Sequence, residues 1–168
     1  MDFLTDLESC IPGLRRYARA LLRDSQRADD LVQDCLERAL SRRHLWRGGG
    51  SLRPWLFKIM HNINANQARS RATRPVHQTL DGVEAAAADA ESQTSRLALR
   101  DMAAGLETLP EEQRRVVLLV ALEGLSYQEI AEVLEVPIGT VMSRLSRARD
   151  RLRLHMAGES PPTLRRVK

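Results

Sequence analysis

The sequence predicts an all-α protein of two small helical domains joined by a flexible linker, the second domain a helix-turn-helix. Three observations predict it. Apolar residues recur at i, i+3, i+4 and i+7 over most of the chain, the spacing of one helix face. Leu, Ala, Val and Ile carry most of the 43% hydrophobic content while aromatics are only 4%, which favours small helical units over sandwiches or barrels. Residues 73–95, TRPVHQTLDGVEAAAADAESQTS, show no sustained period and are rich in small and acidic residues, the composition of a tether. The division that follows is 1–74 for the first domain, 75–95 for the linker, 96–156 for the second domain and 157–168 for a basic tail.

In the first domain, LRRYARALL places Leu14, Tyr17, Ala18, Leu21 and Leu22 on one apolar stripe. Asp24 or Ser25 is placed to cap the next helix. There Ala28, Leu31, Val32, Cys35 and Ala39 repeat the stripe, while Asp30, Gln33, Asp34 and Glu37 gather on the opposite side. Gly48, Gly49 and Gly50 then break the helix. Ser51 and Pro54 suit the start of another, with Leu56, Ile59, Met60 and Ile63 turned inward. Asn62, Asn64, Asn66 and Gln67 crowd this helix, although amides are mediocre helix formers, so a functional reason for them is expected.

After the linker, Leu97, Leu99, Met102, Ala103 and Leu106 predict a helix that Thr108-Leu-Pro110 ends. EEQRRVVLLVALEGL forms the next, with Gly124 as its C-terminal cap. Ser126-Tyr-Gln-Glu129 fits a capping box, so a short helix starts there with Ile130, Val133 and Leu134 inward. The turn EVP leads into GTVMSRLSRARDRL. Two short helices, a tight turn and a basic second helix make a helix-turn-helix pattern. Val141, Leu145, Ala148 and Leu152 fix the buried side of the last helix. Recognition helices touch base edges mainly near their N-termini, which selects Met142, Ser143, Ser146 and Arg147, and leaves Arg144, Arg149, Arg151 and Arg153 for phosphates. A solvated basic helix is the plain alternative for these arginines. The capped helix, small Ala131, short turn and Val141 favour DNA reading.

The formal charge of +4 is weak evidence of a polyanion partner, but its distribution is informative. Residues 1–74 hold 14 Lys/Arg and 8 Asp/Glu, and residues 136–168 hold 8 and 2. Residues 75–95 hold 4 acids and no Lys/Arg, and residues 96–135 hold 4 Lys/Arg and 8 acids. Two basic blocks therefore flank an acidic middle. Cys10 and Cys35 form no CxxC pair, and His44, His61, His77 and His155 are scattered, so neither zinc nor a disulfide framework is expected. With no phosphate-binding loop and no Ser/His/Asp arrangement, no enzyme, cofactor or small-molecule substrate is expected. The absence of a signal-peptide pattern or an apolar run of membrane length predicts a cytoplasmic protein.

LPEEQRRVVLLVALEGLSYQEIAEVLEVPIGTVMSRLSRARDRLR closely resembles the C-terminal domain of bacterial RNA polymerase sigma factors of the extracytoplasmic-function (ECF) group. ADDLVQDCLERAL followed by SLRPWLFKIMHNINANQARSR resembles the other domain of that group, in the right order. The resemblance implies a factor that binds core RNA polymerase, directs it to specific promoters and helps open the DNA. It implies that Asp30, Leu31, Gln33 and Asp34 contact core polymerase. It implies that Trp55, Lys58, Asn62 and Asn66 face the unpaired minus-ten strand, and that Met142, Ser143, Arg144, Ser146 and Arg147 lie at the minus-thirty-five duplex. An anti-sigma protein is a further partner that the resemblance implies. The chain departs from the family pattern at Met142, where many relatives carry Lys or Arg, at Glu135, where Gly is common, in its three consecutive glycines, and in the tail PPTLRRVK. The alternative is a two-domain helix-turn-helix regulator that is not a polymerase subunit. An adaptor using the acidic helix face alone is a further rival.

Overall fold

The structure is a computed structural model that describes residues 2–46, 48, 50–72 and 93–158. Most of the expected linker and nearly all of the expected basic tail lie outside these residues; the last three linker positions, 93–95, belong to α4. Every regular element among the described residues is helical: α1 (Phe3–Leu22), α2 (Ser25–Ser41), a 3-10 turn (Arg43–Leu45), α3 (Leu52–Ala72), α4 (Gln93–Thr108), α5 (Glu111–Ala121), α6 (Tyr127–Leu134) and α7 (Ile138–Met156).

The helix boundaries follow local chemistry. The Asp24 carboxylate accepts from the Arg27 N–H and caps α2, and the Ser51 hydroxyl accepts weakly from Arg53 N–H at 3.4 Å at the start of α3. Gly124, at φ +62, closes α5, with Gly124 N–H donating to Val120 O at 3.1 Å and Leu125 N–H to Leu119 O at 3.2 Å. The capping box at α6 is complete: Ser126 Oγ accepts from Glu129 N–H, and the Glu129 carboxylate accepts from Ser126 N–H at 2.8 Å. Glu135 ends α6 in the left-handed region at φ 55, where a non-glycine residue is costly.

Two elements differ from the sequence expectation. Helix α1 begins at Phe3 and continues through Pro12, so it is more than twice as long as the stripe from Leu14 onward indicates. It is held because Leu7 and Cys10 extend the buried face through the turns that precede the proline. In α4 the expected stripe forms a helix but does not bury: Leu97 and Leu99 are each 58% exposed and Met102 41%.

The first three helices form one body through α1–α2 and α2–α3 packing, and α4–α7 form a second around α5 and α7. The bodies touch. α6 lies on α3 and α5 on α1, and one continuous apolar cluster runs from Leu7 through Leu56 and Met60 to Leu119, Ile130 and Leu145. Cys10 and Cys35 are buried free thiols. Burial pushes the Cys35 thiol up to about 12, so it is protonated and acts as a small apolar side chain.

Candidate nucleic-acid interface

The helix-turn-helix is built from α6, the turn Glu135–Pro137 and α7. Ile130, Ala131, Val133 and Leu134 of α6 are buried, as are Val141, Leu145 and Ala148 of α7. These contacts fix the rotation of α7 about its axis. They leave Met142, Ser143, Ser146 and Arg147 exposed together at its N-terminal half. Ser143 Oγ donates to Thr140 O at 3.1 Å, an exchangeable bond. Arg144 is placed differently from its neighbours. Its guanidinium pairs with Glu112 of α5 at 3.0 Å and is only 20% exposed, so it braces α7 against α5 before it can reach a phosphate. Arg149 and Arg151 are exposed, while Arg153 pairs with Asp150 at 3.3 Å.

On α3, Trp55, Lys58, Asn62 and Asn66 are spaced to share one face. Trp55 is half-buried, with its ring centroid 6.4 Å from Phe3 in an edge-on arrangement and 5.8 Å from Trp46. Asn62 is half-buried and Asn66 exposed. Two of the other amides serve the fold: Asn64 is 3% exposed, and Gln67 Nε2 donates to Asp34 Oδ2 at 3.0 Å, tying α3 to α2. Gly48, Gly50, Pro54, Trp55 and Lys58 line one wall of a cleft of about 970 Å³ whose other wall is α6 and its turn, including Ala131, Glu132, Glu135 and Val136.

On α2, Asp30, Gln33 and Asp34 are exposed, and Gln33 Nε2 donates to Glu37 at 3.1 Å. Leu31 is fully buried. Its side chain belongs to the core, so it holds this face in place and is not on it.

His61 of α3 faces the second body. Its Nδ1 is buried without a hydrogen-bond partner among the described residues. Its pKa is lowered from the ordinary 6.5, first by burial and then by Arg115, with Arg144 adding to the decrease and Glu135 and Glu111 opposing it. A folded-state pKa below the unfolded value means that the unfolded chain binds more protons as the pH falls. The stability from neutral His61 is therefore full above the unfolded pKa and is lost on acidification. The expected result is a fall in thermal midpoint between about pH 7.5 and about pH 5.5 that is smaller in His61→Gln, measured by circular dichroism.

The pairs that join the bodies were not legible in the sequence. Arg16 and Arg53 both reach Glu123, at 2.8 and 2.6 Å, and its side chain is fully buried. Arg23 pairs with Glu107 at 2.8 Å and Lys58 with Glu135 at 3.1 Å. The only sequence signal for them is the opposite sign of residues 1–74 and 96–135. No group of three His, Cys, Asp or Glu among the described residues could hold a metal ion. No described helix is long and apolar enough to cross a membrane.

Known proteins give the same two-part division. Residues 7–61 match the family described as the Sigma2 domain of PhyR, and residues 99–152 match Sigma-70, region 4. The chain is 36% identical over 148 residues to the ECF RNA polymerase sigma factor EcfG of Rhodopseudomonas palustris, covering 88% of this chain and 81% of that one. It is 34% identical to the RNA polymerase sigma-H factor of Pseudomonas aeruginosa, over 76% of this chain and 72% of the other. With the ECF RNA polymerase sigma-E factor of Escherichia coli the identity is 32%, over 72% and 69%. Among solved structures, the sigma factor RpoE of Bartonella quintana, in complex with the anti-sigma factor NepR, superposes with a TM-score of 0.76 at 32% identity, covering 95% of this chain and 99% of that one. CnrH, in complex with the cytosolic domain of CnrY, superposes with a TM-score of 0.64 at 26% identity, covering 92% and 86%.

Proposed function

The chain belongs to the ECF RNA polymerase sigma factors, and we propose from that premise which of its faces meets which partner. As a sigma factor it binds core RNA polymerase, directs it to specific promoters and initiates transcription. The bond-making chemistry of transcription belongs to the polymerase. Both matched segments lie on one chain, so the rival reading as a free-standing duplex-binding regulator leaves the first body unexplained.

The assignment of surfaces rests most on one observation: α7 buries Val141, Leu145 and Ala148 while exposing Met142, Ser143, Ser146 and Arg147 as one patch. That patch enters the major groove at the minus-thirty-five element, and Arg144 supports it from the Glu112 side. Met142 supplies an apolar contact where a longer basic side chain would supply a phosphate contact. The α3 face takes the unpaired minus-ten strand: Trp55 offers a stacking surface, Asn62 and Asn66 offer amides to base edges, and Lys58 offers charge to a phosphate. The exposed acidic face of α2, carrying Asp30, Gln33 and Asp34 on a scaffold that includes Leu31, docks on core polymerase. These roles place the protein in the cytoplasm with its polymerase. A protein of the anti-sigma class is a second partner, supported by the sigma factor RpoE of Bartonella quintana, which was solved with the anti-sigma factor NepR.

Run-off transcription with purified core polymerase and genomic promoter fragments tests the reading. Arg147→Ala should weaken binding to a minus-thirty-five duplex about five- to 150-fold and relax the preference at one or two base pairs, the size of one lost bidentate contact of about 1–3 kcal/mol. Unchanged initiation rates from the same promoters in the variant would remove Arg147 from the reading head.

A further inference from the structure

The ion pairs that join the two bodies share one polarity. Arg16, Arg23, Arg53 and Lys58 come from the first body, and Glu123, Glu107 and Glu135 from the second. We propose that in the free chain this contact is a clasp by which the second body masks the minus-ten face of α3, so that single-stranded DNA and the α6 side of the helix-turn-helix compete for one surface. The inference rests on the reading of α3 as the strand-binding face.

Two features, both at Glu123, show a contact built for a single geometry. The first is Glu123. Its side chain is fully buried, one oxygen accepts from Arg16 and the other from Arg53, and the Leu122 and Glu123 carbonyls accept from the same two guanidinium groups at 2.9 and 3.0 Å. A carboxylate this deep is tolerable only with its charge compensated and its lone pairs used. The second is Gly13 on α1. A Cβ there would lie 2.6 Å from Glu123 Oε2, and that oxygen is already held by Arg53. A side chain at this position would push the Glu123 carboxylate from its place against Arg53.

The clasp bears on function through what it covers. Lys58, the cation available to a strand phosphate, is paired to Glu135. Trp55 shares its cleft with Glu129, Glu132 and Glu135, so carboxylates stand where the phosphates of a bound strand would run. One Lys58 ammonium cannot serve both fully. The apolar cluster is also continuous between the bodies, so separating them exposes apolar surface that a partner must cover. Binding to core polymerase, which must present the two bodies to separate promoter elements, supplies that cover and releases the α3 face. Free protein then binds stray single strands weakly, and holoenzyme binds them well, because apparent affinity scales with the open fraction.

The test uses the full chain and two openers that act differently. Glu123→Lys places a cation beside Arg16 and Arg53, but suits the C-terminal end of its own helix. Gly13→Leu wedges the contact from the α1 side. Circular dichroism checks that each variant keeps its helices. Small-angle X-ray scattering reads the radius of gyration, and fluorescence anisotropy reads binding of a labelled single-stranded dT12 oligonucleotide. The expected result is an expanded particle and about tenfold tighter oligonucleotide binding in either variant. Adding Trp55→Ala and Lys58→Ala to Glu123→Lys should abolish the gain. A wild-type chain that is already expanded, or variants that expand without gaining affinity, would overturn the clasp. A gain that survives loss of Trp55 and Lys58 would instead overturn the assignment of the strand to α3. If neither variant keeps its helices, wild-type scattering at low and high salt decides the matter: a particle as extended as two unclasped bodies at low salt sinks the proposal.

Discussion

Asp30→Lys combined with Asp34→Lys should cut promoter-directed transcription at least about a hundredfold while leaving the thermal midpoint nearly unchanged. Both carboxylates are exposed on α2. Asp34 accepts one bond, from Gln67. Surface changes of this kind cost the fold within about 0.5 kcal/mol. A partner surface complementary to this face is basic, and placing like charges across a docked interface costs several kcal/mol, where each 1.4 kcal/mol is about tenfold. Competition against wild-type chain for core polymerase reads the loss directly. The same variant should keep its affinity for minus-thirty-five duplex, because α7 is untouched. Full transcription by the doubly reversed chain would move the docking surface elsewhere.

Leu119→Ala should destabilise the second body by about 2–5 kcal/mol, whereas Leu99→Ala should change it by less than about 0.5 kcal/mol. Leu119 is 1% exposed and Leu99 is 58% exposed. Truncating the first leaves a cavity that its neighbours fill only partly; truncating the second removes atoms already in water. For a body of this size the first loss lowers the thermal midpoint by about 8 °C or more. Calorimetry on the two variants checks the contrast. An equal loss from both would mean that α4 packs in solution against something that leaves no trace on its exposed apolar face.

That contrast marks where sequence reasoning stopped in the fold. Leu97, Leu99 and Met102 have apolar spacing as good as that of α5, and spacing reports only that a face could be buried. Whether it is buried depends on which helices arrive beside it, and α4 packs chiefly on α7. Helix α1 differs in the opposite direction, burying turns ahead of the stripe that begins at Leu14. Leu7 and Cys10 are buried before Pro12, and the helix runs through the proline.

At the candidate sites, the exposed patch on α7 was legible because Val141, Leu145 and Ala148 fix the helix rotation by periodicity alone. The caps at Asp24, Gly124 and Ser126 were legible because each satisfies backbone groups within a few residues. Leu31 and Asn64 were harder. Leu31 lies on the apolar stripe by spacing, yet the family motif read it for contact; Asn64 lies in a run of amides; both are buried.

The amino-acid sequence alone determined that the chain is helical, where most helices start and stop, and that a capped helix, a turn and a basic helix follow one another near its C-terminus. These properties depend on neighbours within one or two turns, and the local chemistry is complete in the string. Only the tertiary structure decided that Arg16 and Arg53 meet across Glu123, that Gly13 lies against the same carboxylate, and that Lys58 faces Glu135. Those partners are 70 to 107 positions apart for the three ion pairs to Glu123 and Glu135, and no periodicity encodes a contact over such a distance. It exists because basic side chains of the first body come to rest on acidic side chains of the second.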